Sequence, residues 1–164
     1  MTVVLGLAAI IFVADQLTKK TALAHLDAAH PVVVIPGVFH LVLVMNPGVA
    51  FGIFAGVPTR WRWIVTLFSL TALMLLASLA FRVLPTGSVV ARVAIGLVFG
   101  GAAGNLLDRW RFEAVVDFID VFWRGYHWPA FNVADSAITV GVCLLAAELA
   151  FGRDVVSRRD PADD

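Results

Sequence analysis

The sequence predicts an all-α membrane protein: four transmembrane helices, a small extramembrane β-cradle between helices 1 and 2, and an interfacial segment between helices 3 and 4. Three observations predict it. Hydrophobic residues make up 60% of the chain and charged residues 15%, with a mean hydropathy of +0.91. Soluble domains are about 45–50% apolar and about 25% charged. Four stretches approach the roughly 20 apolar residues that cross a bilayer. Between the first two, proline and glycine interrupt a segment rich in β-formers. At 164 residues the chain is expected to be a single integral membrane domain. Its 12 basic and 12 acidic residues cancel, so no nucleic-acid partner is expected. A lone cysteine, Cys143, excludes an internal disulfide and sits in the last apolar stretch, where packing is its expected role.

The spans are read at 3–24, 61–83, 89–107 and 130–151. Asp15 interrupts the first, which must continue through Lys19 and Lys20 to reach bilayer length. It lacks a basic leader and a small-residue cleavage site, so it reads as a retained helix. The second is uncharged from Trp63 to Phe81 and flanked by Arg60, Arg62 and Arg82. In the third, Gly96, Gly100 and Gly104 recur every fourth residue, placing them on one face where another backbone can approach. Residues 30–58 carry Pro31, Pro36, Gly37, Pro47 and Gly48 among "VVVI" and "VFHLVLVM", and read as a small sheet on the membrane surface. The connection after the third helix holds Trp110, Trp123, Tyr126 and Trp128, types favoured at the membrane–water boundary. Residues 152–164 form a polar tail.

An up-and-down path of four helices brings the ends of helices 1 and 3, both long connections and the start of helix 4 to one side. The unusual polar residues fall there: Asp15, Lys19, Asn46, Asn105, Asp108, Arg109, Asp117, Asn132 and Asp135. Asp135 lies seven residues past Trp128, about 10 Å along a helix. A carboxylate that deep must face the interior and find a partner. Capping helix 4 or pairing with Arg109 would also account for it. Asp117, set in "VVDFID", offers a second acid at similar depth. Two such groups that meet share a proton, so that one serves as base and the other as acid, as in aspartyl peptidases. Asp120 is the rival partner: on a strand it points away from Asp117, on a helix it shares its face.

At "DQLTK" (15–19), "NPGVAFGIF" (46–54), "GNLLDRWRFEAVVDFID" (104–120) and "FNVADSAI" (131–138) the chain resembles the prolipoprotein signal peptidases, or signal peptidase II, small bacterial membrane aspartyl peptidases. The resemblance spans nearly the whole chain. It implies Asp117 and Asp135 as the catalytic pair, with Asp120 outside it. It implies Asn46, Asn105, Arg109 and Asn132 as substrate-binding residues, Asp108 as a group that orients Arg109, and Asp15 with Lys19 as a structural tie. It further implies cleavage just before a diacylglyceryl-modified cysteine and a site open sideways to lipid. Lipid-modified prolipoproteins, membrane lipids and peptide inhibitors of the globomycin type are the implied partners. No cofactor is implied, and His25, His30, His40 and His127 are not spaced as metal ligands. Pro47, Val49 and Gly52 depart from the family pattern; Asn46, Gly48, Ala50 and Phe51 keep it.

The resemblance implies the bacterial inner membrane, with cytoplasmic termini and the site toward the outer face. Charge does not support that orientation. Arg82, Arg92, Arg153, Arg158 and Arg159 lie on the side of the termini, against Lys19, Lys20, Arg60, Arg62, Arg109, Arg111 and Arg124 opposite. The competing readings are a proton or cation transporter subunit using Asp117 and Asp135, and a structural membrane subunit with Asp135 in a buried ion pair. A relay needs polar groups along the whole crossing, and the second span carries no charge from Trp63 to Phe81.

Overall fold

In the computed structural model, residues 1–48, 59–83 and 88–151 are described. Their helices are α1 (Thr2–His25), α2 (Arg62–Val83, entered by a 3-10 turn at Thr59–Trp61), α3 (Val89–Phe112) and α4 (Val133–Phe151). Their strands are β1 (Val32–Ile35), β2 (Phe39–Asn46), β3 (Val115–Trp123) and β4 (Tyr126–His127). Residues 49–58 of the expected cradle, most of the "NPGVAFGIF" motif among them, and the polar tail lie outside the described residues.

Helix α3 is central, packed along α1 on one side and α4 on the other, with α2 touching it over a shorter stretch. The glycine row makes the α1 contact. A methyl group on Gly100 would lie 2.6 Å from the Ala8 carbonyl oxygen and 2.8 Å from Ile11 Cβ, and one on Gly104 would collide with the Asp15 carboxylate. Gly101 faces the opposite way, where a methyl would lie 2.5 Å from the Ala134 carbonyl oxygen on α4. Ser88 caps the start of α3 by accepting the Ala91 N–H at 3.1 Å, and Glu113, in the left-handed region at φ 55°, ends it. The helix thus runs beyond the predicted end at 107.

The membrane character lies in an inverted burial pattern. The buried residues of α1 are Val4, Asp15, Lys19 and Ala22, whereas Val3, Leu5, Ile10, Val13 and Leu17 are more than half exposed. Leu75 of α2 and Val140 and Val142 of α4 are likewise exposed. A helix that buries its ions and presents leucine and valine outward is stable only where the surroundings are apolar. Among the described residues, α1 and α3 are long and apolar enough to cross a membrane.

Where the sequence suggests a separate interfacial segment after helix 3, the chain forms half of a sheet. All four strands run antiparallel in the order β1-β2-β3-β4. Gly37, at φ 78°, turns the first hairpin, and Arg124 and Gly125, at φ 51° and 84°, turn the β3–β4 hairpin. The tryptophan pattern hid this pairing because β3 meets β2 some 70 residues earlier (Asp117 opposite Val44). Phe131, just before α4, closes onto β3: its N–H reaches Ile119 O at 3.1 Å and its carbonyl accepts from Ile119 N at 2.9 Å.

The tight α1–α3 contact yields a stability prediction. Gly100→Ala should cost about 1–3 kcal/mol in unfolding free energy. Gly6→Ala, on α1 with nothing within 4 Å, should be neutral or slightly stabilising. Thermal unfolding of the two variants in detergent checks the contrast; equal effects would refute the close packing.

Candidate active site

The polar residues singled out from the sequence converge on the junction of α1, α3, β3 and the first turn of α4. Its buried cation is Lys19, 2% exposed. The ammonium lies 2.9 Å from Asp15 Oδ2 and 2.8 Å from Asp108 Oδ2, and donates to Asn105 Oδ1 at 2.7 Å. Asp15 Oδ1 accepts the Ala134 N–H of α4 at 3.0 Å, and Asp108 Oδ2 accepts the Val116 N–H of β3 at 3.2 Å. Gln16 donates to both carboxylates at 3.1 Å. Asp15, Lys19 and Asp108 thus form one ion-paired cluster, in which the Asp108 oxygens meet Lys19, Gln16 and Val116.

Asp117 and Asp135 stand on either side of Asn132. Asn132 Nδ2 donates to Asp117 Oδ1 at 2.7 Å, and its Oδ1 accepts the Asp135 N–H at 2.9 Å. Asp135 Oδ2 returns to the Asn132 N–H at 3.3 Å, a reciprocal cap that starts α4. Asp135 thus lies in the first turn of α4, which starts at Val133 rather than at the expected 130. Its other oxygen accepts from Asn105 Nδ2 at 2.8 Å. Asp117 Oδ2 accepts from Asn46 Nδ2 at 3.0 Å, and Asn46 Oδ1 accepts the Gly48 N–H at 3.0 Å. Arg109 donates to Gly48 O at 2.9 Å and Asn105 O at 3.3 Å rather than to a carboxylate.

Asp117 is 1% exposed. Burial pushes its carboxyl up to about 7, against the Asn46 hydrogen bond and with the help of the nearby Asp135 charge. Because residues 115–123 form a strand, Asp120 points to the other sheet face, where its carboxylate meets His127 Nδ1 at 2.9 Å and, farther off, His40 Nδ1 at 3.9 Å. Among the described residues no cluster of histidine, cysteine and acidic side chains is placed to hold a metal ion.

Asn46, Asn105, Arg109, Asp117 and Asp135 line one cavity of about 680 Å³. Its remaining wall is largely apolar, with Phe68, Leu73 and Leu76 of α2 and Ile138 and Val140 of α4. Phe68 and Val140 are 63% and 52% exposed, so the cavity reaches the outer apolar surface between these helices. Asn132 stands behind the lining and bridges the aspartates. Gln16 escaped the sequence reading. Its position in "DQLTK" is the one signal that could have drawn it in, since the residues on either side of it in that motif were already suspect.

Residues 7–151 match the family described as Signal peptidase (SPase) II. The lipoprotein signal peptidase of Syntrophotalea carbinolica is 47% identical over 87% of this chain and 88% of its own length. That of Geobacter sulfurreducens is 44% identical over 84% of each. A solved bacterial membrane enzyme, determined by the in meso method at 2.3 Å resolution, superposes with a TM-score of 0.77 at 31% identity, covering 100% of this chain and 96% of that one. Matched over most of its length by the family and by these relatives, this protein belongs to the signal peptidase II family.

Proposed function

We propose that this chain is a membrane aspartyl endopeptidase that removes the signal peptide from diacylglyceryl-modified bacterial prolipoproteins, cutting just before the lipidated cysteine. The observation that carries the reading is the pairing of Asp117 and Asp135 in one half-apolar cavity, each carboxylate held by amide donors and linked through Asn132. A water between the two carboxylates attacks the scissile carbonyl. Asp135 takes the water's proton while Asp117, whose carboxyl burial pushes up to about 7, gives its own to the carbonyl oxygen; the resulting diol collapses with cleavage of the C–N bond, Asp135 passing its proton to the departing amine and Asp117 recovering one from a diol hydroxyl. No covalent intermediate forms. Asn46 and Arg109, with Asn105, line the cavity where an extended peptide would lie.

The apolar outlet between Phe68 and Val140 suits a substrate that arrives from lipid, and globomycin-type peptides would occupy the same cavity. Helix α2, at 22 residues, and α4, at 19, extend about 33 and 28 Å, lengths that favour four crossings of the inner membrane, with cytoplasmic termini. Removing Lys19, whose charge is spent inside the protein, and Arg109, at the cavity, evens the positive charges to five on each side. A relay is disfavoured because the buried polar groups gather at one end of the bundle.

Cleavage of a diacylglyceryl-modified precursor by purified protein in detergent tests the reading. Asp117→Asn and Asp135→Asn should each lose about 10²- to 10⁴-fold in kcat, and Asp120→Asn should cut like wild type. Preserved turnover in either of the first two would sink the assignment.

The wild-type kcat/KM should fall above an apparent pKa near 7, where Asp117 loses its proton. A rate flat from pH 6 to 9 would contradict the acid role.

The same shift has a consequence for folding. Asp117 binds its proton more tightly folded, up to about 7, than at the ordinary 3.8, so stability declines as pH rises from about 4 to about 7. Asp117→Asn should flatten this part of the Tm–pH profile, read by thermal unfolding; an unchanged slope would count against the shift.

A further inference from the structure

Lys19 touches neither aspartate of the pair, yet its position bears on one of them. An ammonium has three donors and no acceptor. Its three polar neighbours, Asp15 Oδ2, Asp108 Oδ2 and Asn105 Oδ1, lie at 2.9, 2.8 and 2.7 Å. The side of the Asn105 amide that faces Lys19 must therefore be its oxygen. Asn132 Nδ2, a second donor at 3.3 Å, meets the same oxygen. The amide nitrogen is left to face Asp135 Oδ1 at 2.8 Å. Asn132 and Asn46 have their amides fixed differently, by the backbone N–H groups of Asp135 and Gly48. Of the three asparagines around the pair, Asn105 is the one whose direction depends on a side chain far from the reacting atoms.

We infer that Lys19 is a positioning residue for the peptidase reaction: it locks the Asn105 amide so that Asp135 always meets a hydrogen-bond donor and stays a ready base. This rests on the reading of Asp117 and Asp135 as the catalytic pair. Without the ammonium only the longer Asn132 bond, at 3.3 Å against 2.7 Å for Lys19, still holds the Asn105 oxygen, and Asn105 is freer to turn over and offer that oxygen to Asp135, an arrangement that favours the protonated acid. The charged groups around Asp135 that stay in place are Asp15 from α1, Arg109 from α3 and Asp117 from β3. Asp15 and Asp108 would face each other without their cation, so Lys19→Met alone changes the charge of the cluster as well as the amide. Lys19→Met/Asp108→Asn keeps the cluster's net charge at −1 while removing the obligate donor, together with one of the two Asp108 oxygens that accept from Gln16 and Val116; Lys19→Arg keeps the charge near Asp135.

The test is the pH dependence of kcat for precursor cleavage by wild type, Lys19→Met, Lys19→Met/Asp108→Asn and Lys19→Arg, each checked for folding by thermal unfolding. The acidic limb of both methionine variants should move up by about one pH unit or more, with kcat reduced more than KM is raised, and Lys19→Arg should restore the wild-type limb. A folded methionine variant with an unmoved limb overturns the inference, whatever its rate. So does failure of both methionine variants to fold, since a side chain whose loss unfolds the protein at conserved cluster charge serves the fold and not the amide. Wild type that does not cleave defeats the peptidase reading itself, which the Lys19 variants cannot do.

Discussion

A single buried ammonium sets the spacing on which the rest of this structure depends. Lys19 is withdrawn from water where α1 meets α3, and a charge so placed is tolerated only with its donors matched. The match comes from two helices: Asp15 one turn earlier on α1, and Asn105 and Asp108 on α3. For the carboxylate of Asp15 to fit, α3 must carry no side chain at Gly104. The second oxygen of Asp15 then takes the first turn of α4 through Ala134 N–H, and Asp108 takes the start of β3 through Val116 N–H. One charged cluster thus fixes the two elements that carry Asp135 and Asp117. Replacing such clusters by apolar residues often leaves stability unchanged, whereas breaking one costs about 3–5 kcal/mol. Its contribution is to arrangement more than to net stability.

The sheet completes what the cluster begins. β3 is held by β2 on one side and by Phe131 at the other, so Asp117 faces the helices while Asp120 faces away. The Asn132–Asp135 cap that starts α4 uses half of each side chain and leaves the other half to the site. Capping and site chemistry are therefore not alternatives at Asp135. The same hydrogen bonds that satisfy the orphan N–H groups of α4 bring its first acid toward the second.

Much of this was legible in the sequence because it follows from local spacing. The i, i+4 pair Asp15–Lys19, the four-residue glycine row and the Asn132–Asp135 separation each specify a helical face. The rivalry between Asp117 and Asp120 is legible as a rivalry, and the strand formed by residues 115–123 puts the two on opposite faces. What the sequence did not show is what depends on distant partners. The aromatic residues of 110–128 suggested an interfacial stretch, yet their strand pairs with one laid down before α2. The resemblance implies that Asp108 orients Arg109; in the structure the Asp108 carboxylate meets Lys19 and the Arg109 guanidinium donates to Gly48 O. Gln16 joins two carboxylates that neighbour each other only in the folded chain.

On the proposed peptidase reading, the location of the aspartate pair answers conflicting demands of peptide hydrolysis at a membrane. A carboxyl that holds a proton at neutral pH must be out of water, which favours depth; a hydrolytic water must still reach it, which forbids the bilayer centre. The junction of helix ends with a sheet edge meets both demands. Asp117 is buried enough for its carboxyl to be pushed to about 7, while the polar N–H groups and amides of a helix start and a strand supply donors that a mid-bilayer helix lacks. The apolar wall of α2 and α4 adjoins this polar end without crossing it. On the proposed reading, a substrate lying in lipid presents a backbone carbonyl to the acids while its apolar part remains among apolar side chains, so that neither its peptide bond enters the hydrocarbon nor its apolar part enters water.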